Sequence, residues 1–279
     1  MYWNLSTGNI GIKTDLAGSI DLAKRHGFDG VDLNMHEVAS LGAERVKAML
    51  ADANLVPGSW SPPVDWRGGN DVYQEQLGRL PELAGLARTV GATRASTAVP
   101  PSSRERPFDE NMAFHIARFR PIAEILRDHG CRLGLEFIGP KTLRPASVHE
   151  FVYTIGGMLD LCGALGTGNA GLLLDCWHWY TSGGTLADLE RLRDEDVVVV
   201  HVNDAPSGID VAAQIDNQRT LPGETGVIDI AGFLHELQRM GYGGPVTVEP
   251  FNDRVRAMSP DEATAATAAS LRKVWAQAG

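Results

Sequence analysis

The chain has 279 residues, of which 43% are hydrophobic and 22% are charged, a balance that excludes a disordered chain and allows one large or two ordinary globular domains. Its 35 acidic and 25 basic residues give a formal net charge of −10 at pH 7. Because this charge repels polyphosphate and no basic stripe offsets it, we expect no nucleic-acid partner.

Short apolar runs rich in β-branched residues alternate along the chain with longer stretches of helical period. The eight runs predict strands at Tyr2 to Ser6, Gly30 to Asn34, Leu55 to Trp60, Thr93 to Thr97, Arg132 to Phe137, Gly171 to Asp175, Val197 to Val202 and Pro245 to Glu249. This alternation is typical of βα units around a parallel sheet. Eight units without a linker favour a closed α/β architecture, a (β/α)8 TIM barrel that occupies residues 1–279 as a single domain.

Capping residues indicate where several helices begin, at Thr14-Asp15, Asp109-Glu110, Ser147 and Ser259. The alternative architecture is an open doubly wound sheet, which usually has a glycine-rich phosphate-binding turn after its first strand. The corresponding turn here, residues 6–11, reads Ser-Thr-Gly-Asn-Ile-Gly and lacks that fingerprint. The closed barrel is therefore favoured.

Two loops after predicted strands are long, from Ser61 to Asn70 and from Asp204 to Gly226. Loops of this length in a compact domain are usually functional. Both follow the carboxyl ends of strands, where barrel enzymes have their active sites. We therefore expect the site at this face.

Four consecutive predicted strands end in an ionisable residue, namely Glu136, Asp175, His201 and Glu249. In the fifth strand, the alternation of side chains sends the apolar residues toward the helices and Glu136 into the barrel. The same alternation applies to the next three strands. Since strands five to eight are neighbours in a barrel, we expect their four terminal side chains to converge.

Three carboxylates and one imidazole in a low-dielectric pocket repel one another unless a cation compensates them. We therefore predict one divalent metal ion bound by Glu136, Asp175, His201 and Glu249. Three oxygen donors and one nitrogen suit Mn²⁺, Mg²⁺ or Co²⁺ better than a structural zinc, and Zn²⁺ is an alternative.

The surroundings of these residues resemble those of a known family. Glu136 stands in Gly-Leu-Glu-Phe, Asp175 and His178 in Leu-Leu-Asp-Cys-Trp-His, His201 in Val-His-Val-Asn-Asp, and Glu249 in Val-Glu-Pro-Phe. These motifs resemble the xylose-isomerase-like sugar phosphate isomerase/epimerase barrels over nearly the whole chain. Within that superfamily, the segments His201 to Ile209, Asp216 to Arg219 and Leu221 to Gly223 are most similar to the inosose (2-keto-myo-inositol) isomerases.

The resemblance implies an isomerase or epimerase of a small polyhydroxylated carbonyl compound, a keto-inositol or a related sugar, acting through an enediolate. It also implies that Glu136 and Glu249 are the catalytic acid/base pair and that the metal acts as a Lewis acid on the substrate oxygens. The ketose 3-epimerases of the superfamily place an arginine six residues after the metal histidine, where this chain has Ser207. This departure disfavours a ketose substrate.

Further candidates for substrate binding lie just beyond the strands that carry the metal ligands. By the resemblance, His178 hydrogen-bonds a substrate oxygen, the alternative being a histidine that only supports the metal ligands. Asn203, Lys141 and Arg219 are candidates to orient hydroxyls or an anionic group, and a solvated loop charge is the alternative for the two cations. Trp179 is a candidate wall of the pocket, with packing beneath a loop as its alternative.

Three other functions remain open from the sequence. A metal-dependent keto-inositol dehydratase would share the enediolate, and an endonuclease of the abasic-site type would share the barrel but needs more histidine ligands and a basic face. A barrel that binds a ligand without catalysis explains four convergent ligands poorly. The sequence does not settle the sugar, its phosphorylation, or whether the chain forms a homo-oligomer.

The expected location follows from the N-terminal segment and the cysteines. No basic segment is followed by an apolar run at the N-terminus, and no apolar stretch is long enough to span a bilayer, so we expect no membrane partner. The three cysteines, Cys131, Cys162 and Cys176, have no metal-type spacing and are an odd number. This pattern fits a reducing compartment, and we predict a cytoplasmic protein.

Overall fold

A computed structural model describes residues 1–279 as a ring of eight parallel strands surrounded by helices. The strands are β1 (Tyr2–Leu5), β2 (Gly30–Val31), β3 (in two pieces, Val56–Pro57 and Ser59–Trp60), β4 (Arg94–Val99), β5 (Arg132–Phe137), β6 (Ala170–Asp175), β7 (Val197–Val202) and β8 (Pro245–Val248). Each strand pairs in parallel with the next, and β1 pairs with β8. The predicted (β/α)8 TIM barrel is confirmed.

The ring closes through the divided strand β3. Its first piece, Val56–Pro57, pairs with β2, and its second piece, Ser59–Trp60, pairs with β4. Gly58 separates the two pieces, and a Cβ atom at this position would lie 2.1 Å from Oδ1 of Asn4. Glycine therefore allows the backbone of β3 to pass close to a polar side chain inside the barrel.

Helices follow the strands along the chain. They are α1 (Leu16–His26), α2 (Met35–Leu41), α3 (Ala43–Ala53), α4 (Asn70–Val90), α5 (Phe108–Asp128), α6 (Ile155–Leu165), α7 (Cys176–Thr181), α8 (Leu186–Glu190), α9 (Ile230–Arg239), α10 (Asp253–Arg256) and α11 (Pro260–Gln277). None of them combines the length and the apolar character needed to cross a bilayer.

The caps of these helices test the predicted starts. The side chains of Asp15 and Ser259 accept hydrogen bonds from the first turns of α1 and α11, as predicted. The predicted start at Ser147 is wrong. Residues His149–Glu150 pair instead with Ser102–Ser103 in a small antiparallel sheet, and Thr154 provides the cap of α6. The competing strand pairing delays the helix.

The main core lies between the barrel and its helices. On β5, Leu133, Leu135 and Phe137 are fully buried among the helices, as the alternation predicts. A second, separate group of Leu173, Val198 and Val199 packs together, and its member Leu173 also lines the cavity at the barrel mouth. This group closes the barrel beneath that cavity.

A long loop, residues 203–229, returns the chain from β7 to α9. The buried carboxylate of Asp204 holds both ends of this loop together, because it accepts hydrogen bonds from the backbone N–H groups of Ala205, Thr225, Gly226 and Ile228. The backbones of Asp204 and Thr220 also exchange two hydrogen bonds. This closure brings Arg219 back to the mouth of the barrel.

Candidate metal centre

Four side chains converge at the carboxyl ends of β5 to β8. Glu136 is the next-to-last residue of β5, Asp175 ends β6, His201 is the next-to-last residue of β7, and Glu249 directly follows β8. The parallel register aligns His201 with Asp175. One potential ligand atom from each of the four lies within 4.8 Å of all the others. The structure therefore brings together the four residues that the sequence singles out.

The charges of this group strongly perturb its protonation. Burial, together with the charges of Glu249 and Asp175, raises the pKa of Glu136 well above its ordinary value. Burial alone would lower the pKa of His201, but Glu249, Glu136 and Asp175 raise it to about 9. The raised pKa values of Glu136 and His201 show that the group has an excess of negative charge. A bound cation would compensate the same charge.

Two atoms of the group are buried without a hydrogen-bond partner, Oε1 of Glu136 and Nδ1 of His201. They lie 4.0 Å apart, and Nδ1 of His201 is 3.5 Å from Oε2 of Glu249, which is beyond an ordinary hydrogen-bond length. Unpartnered buried polar atoms are costly, and both are atoms that ligate divalent metals. The residues present therefore fit one divalent metal ion.

Arg219 places a fixed cation beside these ligands. Its Nη1 donates to Oδ2 of Asp175 at 2.7 Å and to Oε2 of Glu249 at 3.2 Å. Its Nη2 donates to Oδ1 of Asp216 at 3.0 Å. The guanidinium lies 4.6 Å above the ring of Phe251, and only 2% of the residue is exposed. Arg219 therefore partly neutralises the carboxylates and holds their positions.

His178 and Asn203 contact the same group. The backbone N–H of Gly139 donates to Nδ1 of His178, while Nε2 lies 3.3 Å from Nη2 of Arg219 and 3.7 Å from Oε1 of Glu136. Burial, with Arg219 and His201 nearby, lowers the pKa of His178 to about 3. Asn203 donates from Nδ2 to Oδ1 of Asp175 at 3.0 Å. Both residues are placed to orient the ligands.

Lys141 and Trp179 lie away from the cavity. Lys141 is exposed in the short 3₁₀ turn Lys141–Leu143 and is absent from the cavity lining. Trp179 is buried, donates from Nε1 to the carbonyl oxygen of Thr185, and packs 5.5 Å from the ring of Phe233 on α9. The structure does not bring these two candidates to the site, because Lys141 lies in an exposed turn and the face of α7 that carries Trp179 packs against α9.

A cavity of about 510 Å³ opens beside the four ligands, and Glu136, His201 and Glu249 contribute to its lining. The sequence analysis missed Asp32, which lines the same cavity. Burial raises the pKa of this carboxyl, and hydrogen bonds from Ser59 and Asn4 oppose the rise. The run Gly30-Val31-Asp32 ends in an acid like the four strands described above, so the same signal could have identified it.

The closed barrel and the ligands at its carboxyl face define a (β/α)8 protein with a candidate divalent-metal centre. The chain belongs to the xylose isomerase-like TIM barrel family, whose model matches residues 20–274. The family inferred from the sequence motifs is confirmed.

Similar proteins carry out two types of reaction. The chain is 32% identical over 258 residues to an inosose isomerase of Halalkalibacterium halodurans, a match that covers 90% of this chain and 88% of that protein. It is 28% identical over 269 residues to a 3-dehydroshikimate dehydratase of Pseudomonas aeruginosa, covering 93% of this chain but 40% of that protein. A solved xylose isomerase domain protein from Alicyclobacillus acidocaldarius subsp. acidocaldarius superposes with a TM-score of 0.87 at 31% identity over 96% of both chains.

Proposed function

We propose that this protein is a divalent-metal-dependent isomerase or epimerase of a small polyhydroxylated carbonyl compound, a keto-inositol or a related sugar. The observation that carries the proposal is the convergence of Glu136, Asp175, His201 and Glu249 within 4.8 Å. Three of them, Glu136, His201 and Glu249, line a cavity of about 510 Å³, which is large enough for a small cyclic polyol. The similarity to an inosose isomerase supports the same substrate class.

Movement of a carbonyl group along a polyol requires removal of a proton from the carbon beside the carbonyl and return of a proton to the former carbonyl carbon, while the hydroxyl proton passes from one oxygen to the other. The enediolate formed between these steps carries negative charge. A divalent ion held by the four side chains supplies Lewis-acid stabilisation of that charge. The three oxygen donors favour Mn²⁺, Mg²⁺ or Co²⁺, and Zn²⁺ is also accommodated.

Glu136 and Glu249 are the acid/base pair in this proposal. They project from β5 and from the end of β8, with Asp175 and His201 on the two strands between them. They therefore approach a substrate from two sides, so that one carboxylate removes a proton and the other side chain returns one. In this proposal His178, which lies 3.7 Å from Oε1 of Glu136, hydrogen-bonds a substrate oxygen beside that carboxylate.

Arg219 and Asn203 keep the carboxylates in position during this exchange. Both donate hydrogen bonds to Asp175, and Arg219 also donates to Glu249. Fixed donors prevent the ligands from rotating away as the charge on the substrate changes. In this proposal both residues act through the ligands.

A metal-dependent dehydratase is the second candidate, because the same enediolate can expel a β-hydroxyl group. The similarity to a 3-dehydroshikimate dehydratase favours this candidate. An abasic-site endonuclease is disfavoured, because the ligand group contains one histidine and the chain carries a net charge of −10.

A proton NMR time course of 2-keto-myo-inositol in D₂O tests the proposal, with the protein first chelated and then supplied with Mn²⁺. We expect deuterium exchange beside the carbonyl and a second keto-inositol, both dependent on the metal. Loss of water, detected as a new ultraviolet chromophore, would identify the dehydratase instead. Absence of both exchange and chromophore with Mn²⁺ present would contradict the proposed substrate.

The proposal includes a cytoplasmic location. All three cysteines are free and buried, which fits a reducing compartment. The sequence leaves open whether the chain forms a homo-oligomer.

A further inference from the structure

Asp32 lies across the cavity from the metal ligands. It directly follows β2, and in a ring of eight strands β2 stands opposite β6, the strand that ends in Asp175. Asp32 lines the same cavity as Glu136, His201 and Glu249. A molecule in the cavity that reaches Glu136, His201 and Glu249 from the mouth of the barrel therefore also meets Asp32.

All the hydrogen bonds that the carboxylate of Asp32 accepts from the protein reach one of its two oxygen atoms. Oδ1 accepts from Nδ2 of Asn4 at 2.7 Å, from the backbone N–H of Ser59 at 2.7 Å and from the hydroxyl of Ser59 at 3.0 Å. Oδ2 receives none of these and opens to the cavity. Three donors on Oδ1 fix the orientation of the carboxylate, which leaves its second oxygen available to a ligand.

The support behind Asp32 is itself buried. Asn4 is 1% exposed, and its Nδ2 also donates to the hydroxyl of Thr247 at 2.9 Å. Thr247 lies on β8, two residues before Glu249. This chain of hydrogen bonds joins β3, β2, β1 and β8, so the position of Asp32 is set by the barrel rather than by a mobile loop.

The cavity lining is mostly polar and contains no lysine or arginine, and its two histidines are His36 and His201. Its acids are Asp32, Glu136 and Glu249, and its other polar residues include Ser6, Thr7, Asn9, Asn34, Ser96 and Thr97. Arg219 is absent from this lining. Its guanidinium pairs instead with Asp175, Asp216 and Glu249. A phosphate or carboxylate at this end of the cavity would lose water without gaining a lysine or arginine partner, and it would face the carboxylate of Asp32.

We propose that Asp32 makes the cavity specific for an uncharged polyol. Oδ2 accepts hydroxyl hydrogen atoms at the end of the substrate distant from the metal ligands, and the charge of the carboxylate disfavours phosphorylated or carboxylate-bearing substrates. The inference rests on the proposed function, since it names the substrate class of that same site. It also disfavours acids of the dehydroshikimate type as substrates.

Asp32→Asn tests the inference, with Asp29→Asn as its control. The asparagine keeps a carbonyl oxygen for the Asn4 and Ser59 donors but replaces the free oxygen with an amino group. Asp29 precedes β2, accepts a hydrogen bond from the backbone N–H of Trp3 at 3.0 Å, and is absent from the cavity lining. We expect Asp32→Asn to raise the KM for 2-keto-myo-inositol about tenfold or more with little change in kcat, and Asp29→Asn to change neither.

Calorimetric titration with myo-inositol and with shikimate, a cyclic polyol that carries a carboxylate, provides a measurement that needs no turnover. The wild type should bind myo-inositol in preference to shikimate, and Asp32→Asn should weaken myo-inositol binding about tenfold and narrow the preference. Tighter binding of shikimate by the wild type, binding of neither compound, or an unchanged KM and affinity in Asp32→Asn would overturn the inference. If the protein turns over no keto-inositol but Asp32→Asn still narrows the preference for myo-inositol over shikimate, the proposed function fails and the role of Asp32 in binding stands.

Discussion

Arg219 donates a hydrogen bond from Nη1 to Oδ2 of Asp175 at 2.7 Å, and both side chains are almost completely withdrawn from solvent. Removal of one partner from a buried ion pair leaves the other charge uncompensated, which typically costs about 3–5 kcal/mol. A metal ion bound by Asp175 would compensate the same charge. The contribution of Arg219 to stability should therefore depend on whether metal is present.

Arg219→Met should lower the free energy of unfolding of the chelated protein by about 3 kcal/mol. Addition of Mn²⁺ should raise the melting temperature more in this variant than in the wild type, because the ion replaces the missing cation. Arg79→Met is the control, since Arg79 makes an exposed pair with Glu75 on α4. If Mn²⁺ raises the melting temperatures of Arg219→Met and Arg79→Met by similar amounts, Arg219 does not compensate the negative charge of the ligands.

Glu136→Gln and Glu249→Gln should each lower kcat for 2-keto-myo-inositol by at least about a hundredfold, because an amide cannot exchange the proton. Glu236→Gln alters a buried glutamate of α9 that pairs with Arg239 and should leave kcat unchanged. Steady-state rates at saturating Mn²⁺, with metal content measured for each variant, separate loss of catalysis from loss of the ion. Near-normal kcat in either site variant would remove that residue from the acid/base pair.

Gly58→Ala should destabilise the protein by about 1–3 kcal/mol, as is usual for an overpacked interior. The new Cβ atom would lie 2.1 Å from Oδ1 of Asn4, a side chain whose Nδ2 donates hydrogen bonds to Oδ1 of Asp32 and to the hydroxyl of Thr247. Gly78→Ala is the control, because a Cβ atom at Gly78 on α4 meets nothing within 4 Å. Urea denaturation should show a loss for the first variant and a small gain for the second. Equal free energies of unfolding for Gly58→Ala and Gly78→Ala would mean that the side chain of Asn4 moves aside freely.

His115 should make stability depend on pH. The residue is buried and stacks on the ring of Phe151, and burial lowers its pKa from 6.5 to about 4. The unfolded chain binds a proton on His115 more readily than the folded chain does. The contribution of neutral His115 to the free energy of unfolding is therefore complete above pH 6.5 and is lost as the pH falls toward 4. The loss approaches about 3 kcal/mol at the acidic end.

His115→Phe keeps an aromatic ring in place and should flatten this part of the pH profile relative to the wild type. His235→Gln, at an exposed position of α9, is the control and should leave the profile unchanged. Denaturant unfolding at intervals between pH 4 and pH 7 measures the difference. A wild-type profile that runs parallel to that of His115→Phe would exclude His115 as the source.

The convergence of the four candidate metal ligands could be predicted from the sequence because strand alternation is a local property. In β5 it separates Glu136 from Leu135 and Phe137, and the order of neighbouring strands then requires Glu136 and Asp175 to approach each other. The same logic extends to His201 and Glu249.

The remaining features depend on contacts between distant parts of the chain. The division of β3 at Gly58 results from its proximity to Asn4, 54 residues earlier. The outward position of Lys141 depends on a loop path, and the packing of Trp179 depends on contact between α7 and Phe233 of α9, neither of which residue spacing determines. The role of Asp32 depends on hydrogen bonds from β1 and β3, which a two-residue strand does not reveal.

Anomalous X-ray diffraction from a crystal soaked in Mn²⁺ tests the metal centre most directly. We expect one strong anomalous peak per chain, about 2.0–2.2 Å from oxygen atoms of Glu136, Asp175 and Glu249 and from a ring nitrogen of His201. A peak elsewhere with none among these four side chains, or the absence of any peak at saturating Mn²⁺, would contradict the account.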